Sequence, residues 1–225
     1  MLLTVAEFRS RIERDLSSLI RELQDQTGRR GEDEASAWAN SLPAVSRAFS
    51  DPIFQPLHLY FGEHGHLSLE YRLPASSSWC DIVLLGAHAG QPSAAILELK
   101  HQDTWADRPG QAIGLMEHHG EPWPHPSDQV RGYVEYCRHF HSTVLEFSAS
   151  VHGCVLFTKD DRFDGYSRPP NDGLSRDFPC FAVTALVTVA VPSAPTEPPK
   201  ADVRAETPGP IPQRRMHRLP PYPAR

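Results

Sequence analysis

Three charged side chains stand at the ends of otherwise apolar runs in this chain. Asp81 lies in WCDIVLLG (79–86), and Glu98 and Lys100 lie in SAAILELKH (93–101). If each run is a strand, alternation puts Asp81 on the face of Val83 and Leu85, and puts Glu98 and Lys100 on the face of Ile96. The three groups then converge when the strands are neighbours. Taking an isolated ion out of water costs several kcal/mol unless it is paired or holds a metal. The pattern therefore points to a site: two carboxylates suited to a hard divalent cation, with an amine beside them. The competing reading is a surface salt bridge between Lys100 and a neighbouring acid, which would be worth little.

Other chemistries find less support. Gln129 and Tyr133 are four apart on an expected helix and share one face; the plain alternative is a core tyrosine and a solvated glutamine. The histidines at 64, 66, 118, 119, 125, 139 and 141 lack the three- or four-residue spacing of helical zinc ligands and have no C-x-x-C partner. His101 and His125 border the expected active-site loop, where an exposed loop position is the simpler reading. Arg108, Arg131 and Arg138 surround the acids in sequence and could grip phosphate, and Trp105 and Trp123 could stack on bases. There is no G-x-S-x-G and no G-x-x-x-x-G-K-[ST], so neither a serine nucleophile elbow nor a phosphate-cradling ATPase loop is expected. Cys80, Cys137, Cys154 and Cys180 are widely spaced and read as buried free thiols.

The elements that must position these groups follow from periodicity. Phe8, Ile12, Leu16, Leu19, Ile20 and Leu23 mark an amphipathic helix from Thr4, with Thr4 and Glu7 as a capping box and an end near Gly28. Trp38, Leu42, Val45 and Phe49 mark a second helix from near Glu34, which Pro43 would kink or delay. Strands are expected at about 57–61, 67–73, 80–86 and 94–100, read as an antiparallel meander. Residues 101–125 have no clean period and are expected to form a long rim loop. A helix follows Pro126, with Val130, Tyr133, Val134, Cys137 and Phe140 as its stripe, and then strands at about 151–157 and 178–189. The order implies an α/β (α+β) fold, with a central sheet flanked by helices.

With 225 residues, 40% of them hydrophobic, the chain supports one domain with a core, taken as 1–191. The formal charge of −6 confines any nucleic-acid surface to a local patch. No apolar run reaches the roughly 20 residues of a bilayer span, so no membrane association is expected. The start, MLLTVAEFRSRIERD, meets charge too early for a secretory signal, which implies a cytoplasmic protein. Ten of the 22 prolines follow Val191, and residues 192–225 read as a disordered Pro/Arg-rich tail.

Asp81 followed by Glu98-Leu99-Lys100 resembles the signature of the PD-(D/E)XK nuclease superfamily. The resemblance implies that Asp81 and Glu98 hold Mg²⁺ or Mn²⁺ with the main-chain carbonyl of Leu99. It also implies that Lys100 orients a water or stabilises charge on phosphorus. Gln129 to Tyr133 is similar to the Q-x-x-x-Y element of the RecB-like branch, whose glutamine and tyrosine position DNA beside the metal. SAWANSLPAVSRAF (36–49), LEYRLPASSSWCDIVLLG (69–86), ILELKH (96–101) and HPSDQVRGYVEY (125–136) together resemble the N-terminal nuclease-like domain of bacterial DNA/RNA helicase-related proteins. That likeness runs from about Glu34 to Tyr136 and implies a restriction-endonuclease-like fold with a central mixed sheet and a core of about 34–190.

It further implies a metal-dependent nuclease of prokaryotic DNA processing, repair or defence, acting on DNA or RNA and working with a separate helicase or ATPase partner. The alternative is a non-catalytic nucleic-acid-binding or partner-docking module of the same descent. An additional acid is expected from the first core helix, with Glu34 the candidate and Glu70 the second choice. The tail is expected to stand where longer relatives carry a further domain.

Overall fold

The computed structural model describes residues 2–60, 71–73, 79–88, 90–159 and 162–183. Glu70 and the tail from residue 192 lie outside them. A short strand β1 (Leu2–Thr4) leads directly into α1 (Val5–Thr27). Thr4 closes the expected capping box: its hydroxyl accepts from the Glu7 amide at 3.1 Å, and its own amide donates to Glu7 Oε2 at 2.8 Å. Gly28, at φ 69°, ends the helix in the left-handed conformation that glycine adopts without strain. The helix is interrupted at Asp15, whose Oδ1 accepts from the Ser18 amide as an internal cap.

Helix α2 (Glu32–Ala48) begins with Glu32, Asp33 and Glu34 at its positive end and has Arg47 in its last turn, in keeping with the helix dipole. Pro43 sits within α2 and does not delay its start.

The remaining elements are β2 (His58–Tyr60), β3 (Tyr71–Arg72), β4 (Trp79–Cys80), β5 (Ile82–His88), β6 (Gln91–Lys100), β7 (Asp107–Pro109), β8 (Leu115–His118), β9 (Glu121–Pro124), α3 (Pro126–Phe140), α4 (Ser142–Glu146), β10 (Ser150–Phe157), α5 (Asp172–Asp177) and β11 (Cys180–Ala182). Among the described residues the main sheet runs β1-β2-β5-β6-β10-β11. It is antiparallel from β1 to β6 and parallel from β6 through β10 to β11. The meander is thus only half of the sheet. A parallel neighbour needs a crossover, and α3 supplies it between β6 and β10.

Residues 101–125 also differ from expectation. They hold a small antiparallel sheet, β7-β8-β9, in place of a structureless loop. Its strands are three or four residues long, too short for alternation to show, and its turns use Gly114 (φ 84°) and Gly120 (φ 87°).

Two cores flank the main sheet. Phe8, Leu19 and Leu23 of α1 and Trp38, Leu42 and Val45 of α2 pack on Ile82, Leu84 and Leu97. Val130, Tyr133 and Val134 of α3 pack on Val83, Ile96 and Val155 on the other side. Alternate residues of β5 and β6 therefore belong to different cores, as a sheet covered on both faces requires. Since α1 supplies part of the first core, the folded unit includes residues before 34. The approach of α3 depends on Gly153 of β10, where an added Cβ would stand 2.3 Å from Val130 Cγ1 and 2.8 Å from Val134 Cγ2. No helix among the described residues is long and apolar enough to cross a membrane.

Candidate metal and nucleic-acid site

Strand register decides which charged groups share a face. Ile82 of β5 is opposite Leu97 of β6, and Val83 is opposite Ile96. Asp81 and Glu98 come one residue beyond the rung of Ile82 and Leu97. Alternation along β6 places Glu98 and Lys100 on the face of Ile96, toward α3, and the charges of Asp81 and Glu98 both act on Tyr133 of that helix. Asp81 itself sits in the bend between β4 and β5, where the ladder stops. Its Oδ2 accepts from the Leu99 amide at 2.7 Å, so the carboxylate stands in for the missing ladder partner and is folded onto β6. The Lys100 carbonyl faces β10, where it accepts from the Thr158 amide at 2.9 Å. Alternation turns the Leu99 carbonyl the other way, toward the Asp81 side.

Glu98 is deeply buried, with its side chain 5% exposed. Lys100 Nζ donates to Glu98 Oε1 at 2.7 Å and to Gln129 Oε1 at 3.3 Å, and Gln129 Nε2 donates to the Tyr133 hydroxyl at 2.6 Å. One chain of polar contacts thus joins β6 to α3. Glu98 Oε2, buried as well, has no hydrogen-bond partner among the described residues. Burial pushes the Tyr133 phenol well above its ordinary range; the Gln129 contact opposes this, and the charges of Glu98 and Asp81 add to it. The phenol therefore stays protonated and able to donate.

The position of α3 is fixed at its first turn. His125 Nδ1 accepts from the Ser127 amide at 3.1 Å as N-cap, Pro126 occupies the first turn, and His125 Nε2 donates to the Tyr166 carbonyl at 3.0 Å. His125 is fully buried, so its reading as an exposed loop histidine is corrected. Both ring nitrogens are used, which leaves none for phosphate. His101 is exposed, with Nδ1 2.9 Å from Thr158 Oγ1.

The proposed extra acid does not join the pair. Glu34 lies in the first turn of α2, on the layer that covers the opposite face of the sheet, and pairs with Arg29 at 3.6 Å. Among the described residues no three His, Cys, Asp or Glu side chains form a group able to hold a metal. The resemblance points to the first core helix for this acid, and helix periodicity does not say which sheet face that helix covers. The basic residues are engaged: Arg131 pairs with Asp128 at 2.6 Å, Arg138 with Glu135 at 2.8 Å, and Arg108 donates to the carbonyls of Trp105 and Asp107. Trp105 is exposed, and Trp123 is half-buried, its ring T-shaped to that of Tyr166.

One polar group escaped sequence reasoning. Asp107 of β7 and His118 of β8 face each other across the small sheet, with His118 Nδ1 2.5 Å from Asp107 Oδ1. Only the pairing of two very short strands brings them together. The donors that suit a hard cation at this site are the carboxylates of Asp81 and Glu98 and the Leu99 carbonyl, all oxygen. The buried Glu98 oxygen without a donor is an anionic position that a cation would satisfy, so these residues fit a divalent ion. Compared with family models, with curated proteins and with solved structures, the chain matches none.

Proposed function

We propose that this protein is a metal-dependent phosphodiesterase acting on nucleic acid, DNA in the first instance. The observation that carries this reading is the buried Glu98 Oε2, without a partner among the described residues, beside Lys100 and one residue beyond the end of the β5–β6 ladder, where Asp81 stands. Asp81, Glu98 and the Leu99 carbonyl would hold Mg²⁺ or Mn²⁺. When bound, such an ion polarises the scissile phosphate and makes water a better nucleophile at neutral pH. Lys100, held between Glu98 and Gln129, supplies positive charge where the phosphorane would gather negative charge. Gln129 and Tyr133 extend the same polar chain along α3 and would hold a neighbouring phosphate or base by hydrogen bonds. The reading is a PD-(D/E)XK-type nuclease of DNA processing, repair or defence, with a separate helicase or ATPase as its working partner.

The closed Lys100–Glu98 pair and the lack of a third acid among the described residues favour a second reading. In it the same fold is a nucleic-acid-binding or partner-docking module without catalysis. Metal separates the two. The purified protein is expected to nick or degrade DNA with Mg²⁺ or Mn²⁺, and to lose this in Asp81→Ala and Lys100→Ala variants whose thermal melts show them folded. Equal residual cleavage in both variants would identify a contaminant and sink the nuclease reading. Calorimetry showing DNA binding without Mg²⁺ or Mn²⁺ binding would favour the module.

A further inference from the structure

The carboxylate of Asp107, only 4% exposed, is bonded so that one histidine nitrogen is left facing outward. Its Oδ2 accepts from the Tyr166 hydroxyl, and its Oδ1 is 2.5 Å from His118 Nδ1. The Tyr166 hydroxyl accepts in turn from Gln102 Nε2 at 3.4 Å. With the Tyr166 hydroxyl donating to one oxygen of the Asp107 carboxylate and the other oxygen accepting from the ring, the hydrogen between Asp107 and His118 is assigned to Nδ1. That assignment makes Nε2 a lone pair in the neutral ring and a donor in the protonated one. The His118 side chain is 43% exposed, and Nε2 has no hydrogen bond among the described residues. His125 is the contrast: its two nitrogens are spent on the backbone. A ring oriented at Nδ1 by a buried acid and open at Nε2 is built to transfer a proton.

Tyr166, which bonds Asp107, also bonds Gln102, two residues beyond Lys100, and this ties the pair to the Lys100 end of the main sheet. Phe157, the rung opposite Lys100 on β10, has its ring centroid 4.9 Å from that of Tyr166. Phe157, Tyr166 and Met116 of β8 belong to the core that contains Val83 and Ile96.

We propose that His118 is a catalytic general acid for phosphodiester cleavage, with Asp107 as its positioning residue; the inference rests on the nuclease reading above. The oxygen of a water forms a bond to phosphorus as the bond from phosphorus to the leaving oxygen breaks. The Nε2 proton of His118 passes to that leaving oxygen, the proton of the attacking water is released to solvent, and solvent reprotonates Nε2. The products are a phosphate monoester and an alcohol.

The test compares DNA with a p-nitrophenyl phosphodiester, whose leaving group needs no proton, using the full chain and Mg²⁺. His118→Asn keeps an N–H for Asp107 in place of Nδ1–H but has nothing in place of Nε2. It is expected to slow DNA cleavage about 10²-fold or more and to leave aryl ester cleavage unchanged, with DNA affinity intact. His118→Gln, which carries no titrating proton, should show the same split. Equal slowing on both substrates, or no slowing on either, overturns the proposal while the nuclease reading stands. If the unmodified protein cleaves neither substrate, the nuclease reading fails and this inference falls with it. A readout independent of turnover is the ¹⁵N–¹H spectrum of the metal-free protein, where the neutral His118 ring should be the Nδ1–H tautomer; an Nε2–H tautomer would overturn the assignment.

Discussion

Glu98 has one oxygen matched to Lys100 and one with no donor among the described residues, and that imbalance makes the site sensitive to charge. Removing the ammonium leaves a buried carboxylate unpaired, which typically costs about 3–5 kcal/mol when both partners are fully buried. Lys100, 18% exposed, should fall at the lower end. Lys100→Met is therefore expected to lower the thermal midpoint markedly in metal-free buffer. If Asp81 and Glu98 hold a divalent ion, Mg²⁺ should raise the midpoint of Lys100→Met by more than it raises that of the unmodified protein, because the cation no longer meets a competing ammonium. Equal shifts in the two proteins would speak against a cation at Glu98. At this scale the sequence was informative where strands were concerned: alternation sets Glu98 and Lys100 on one face of β6, whereas Asp81 comes to them through the pairing of β5 with β6 and its bond to the Leu99 amide. It was silent on Asp107 and His118, which meet only through a hairpin of very short strands.

Helix α3 carries Gln129 and Tyr133, and its distance from the sheet is set at Gly153. Gly153→Ala would force Val130 and Val134 outward, an overpacking that costs roughly 1–3 kcal/mol. The same displacement would draw Gln129 away from Lys100. Chemical denaturation should show the stability loss, and DNA cleavage should fall by more than the small unfolded fraction explains; unchanged cleavage would argue that Gln129 plays no part in it. Element existence was well marked where a long amphipathic stripe or a cap was present, as in α1 with Thr4 and Gly28. The parallel pairing of β6 with β10 was not marked, because strand direction follows from where α3 crosses and not from any residue in the strand.

At the scale of the molecule, pH enters through three histidines, of which His125 is fully buried, His141 half-buried and His101 exposed. Loss of solvent around the ring is the largest cause holding His125, His101 and His141 below the ordinary histidine range. Since their folded values are lowered, the unfolded chain takes up protons first as the medium is acidified. Their contribution to stability is intact above about pH 6.5 and is lost progressively as pH falls from there through the folded values. The thermal midpoint should drop between pH 7.5 and 5.5. His125→Asn, which keeps a side-chain acceptor for the Ser127 amide, should drop less over that interval. A parallel fall in both proteins would assign the effect elsewhere.

Burial of His125 could not be seen in the sequence, where its Pro- and Gly-rich surroundings look like exposed loop; it depends on Tyr166, some 40 positions away. The ten residues of β6 bind the whole arrangement together, with Leu97 committed to one hydrophobic layer and Ile96 to the other, immediately ahead of Glu98. A lesion among α1 and α2, remote from any phosphate, would tilt the very backbone that aims Glu98 and Lys100. Variants on that far side will therefore imitate active-site defects, and only a companion measure of foldedness tells the two apart.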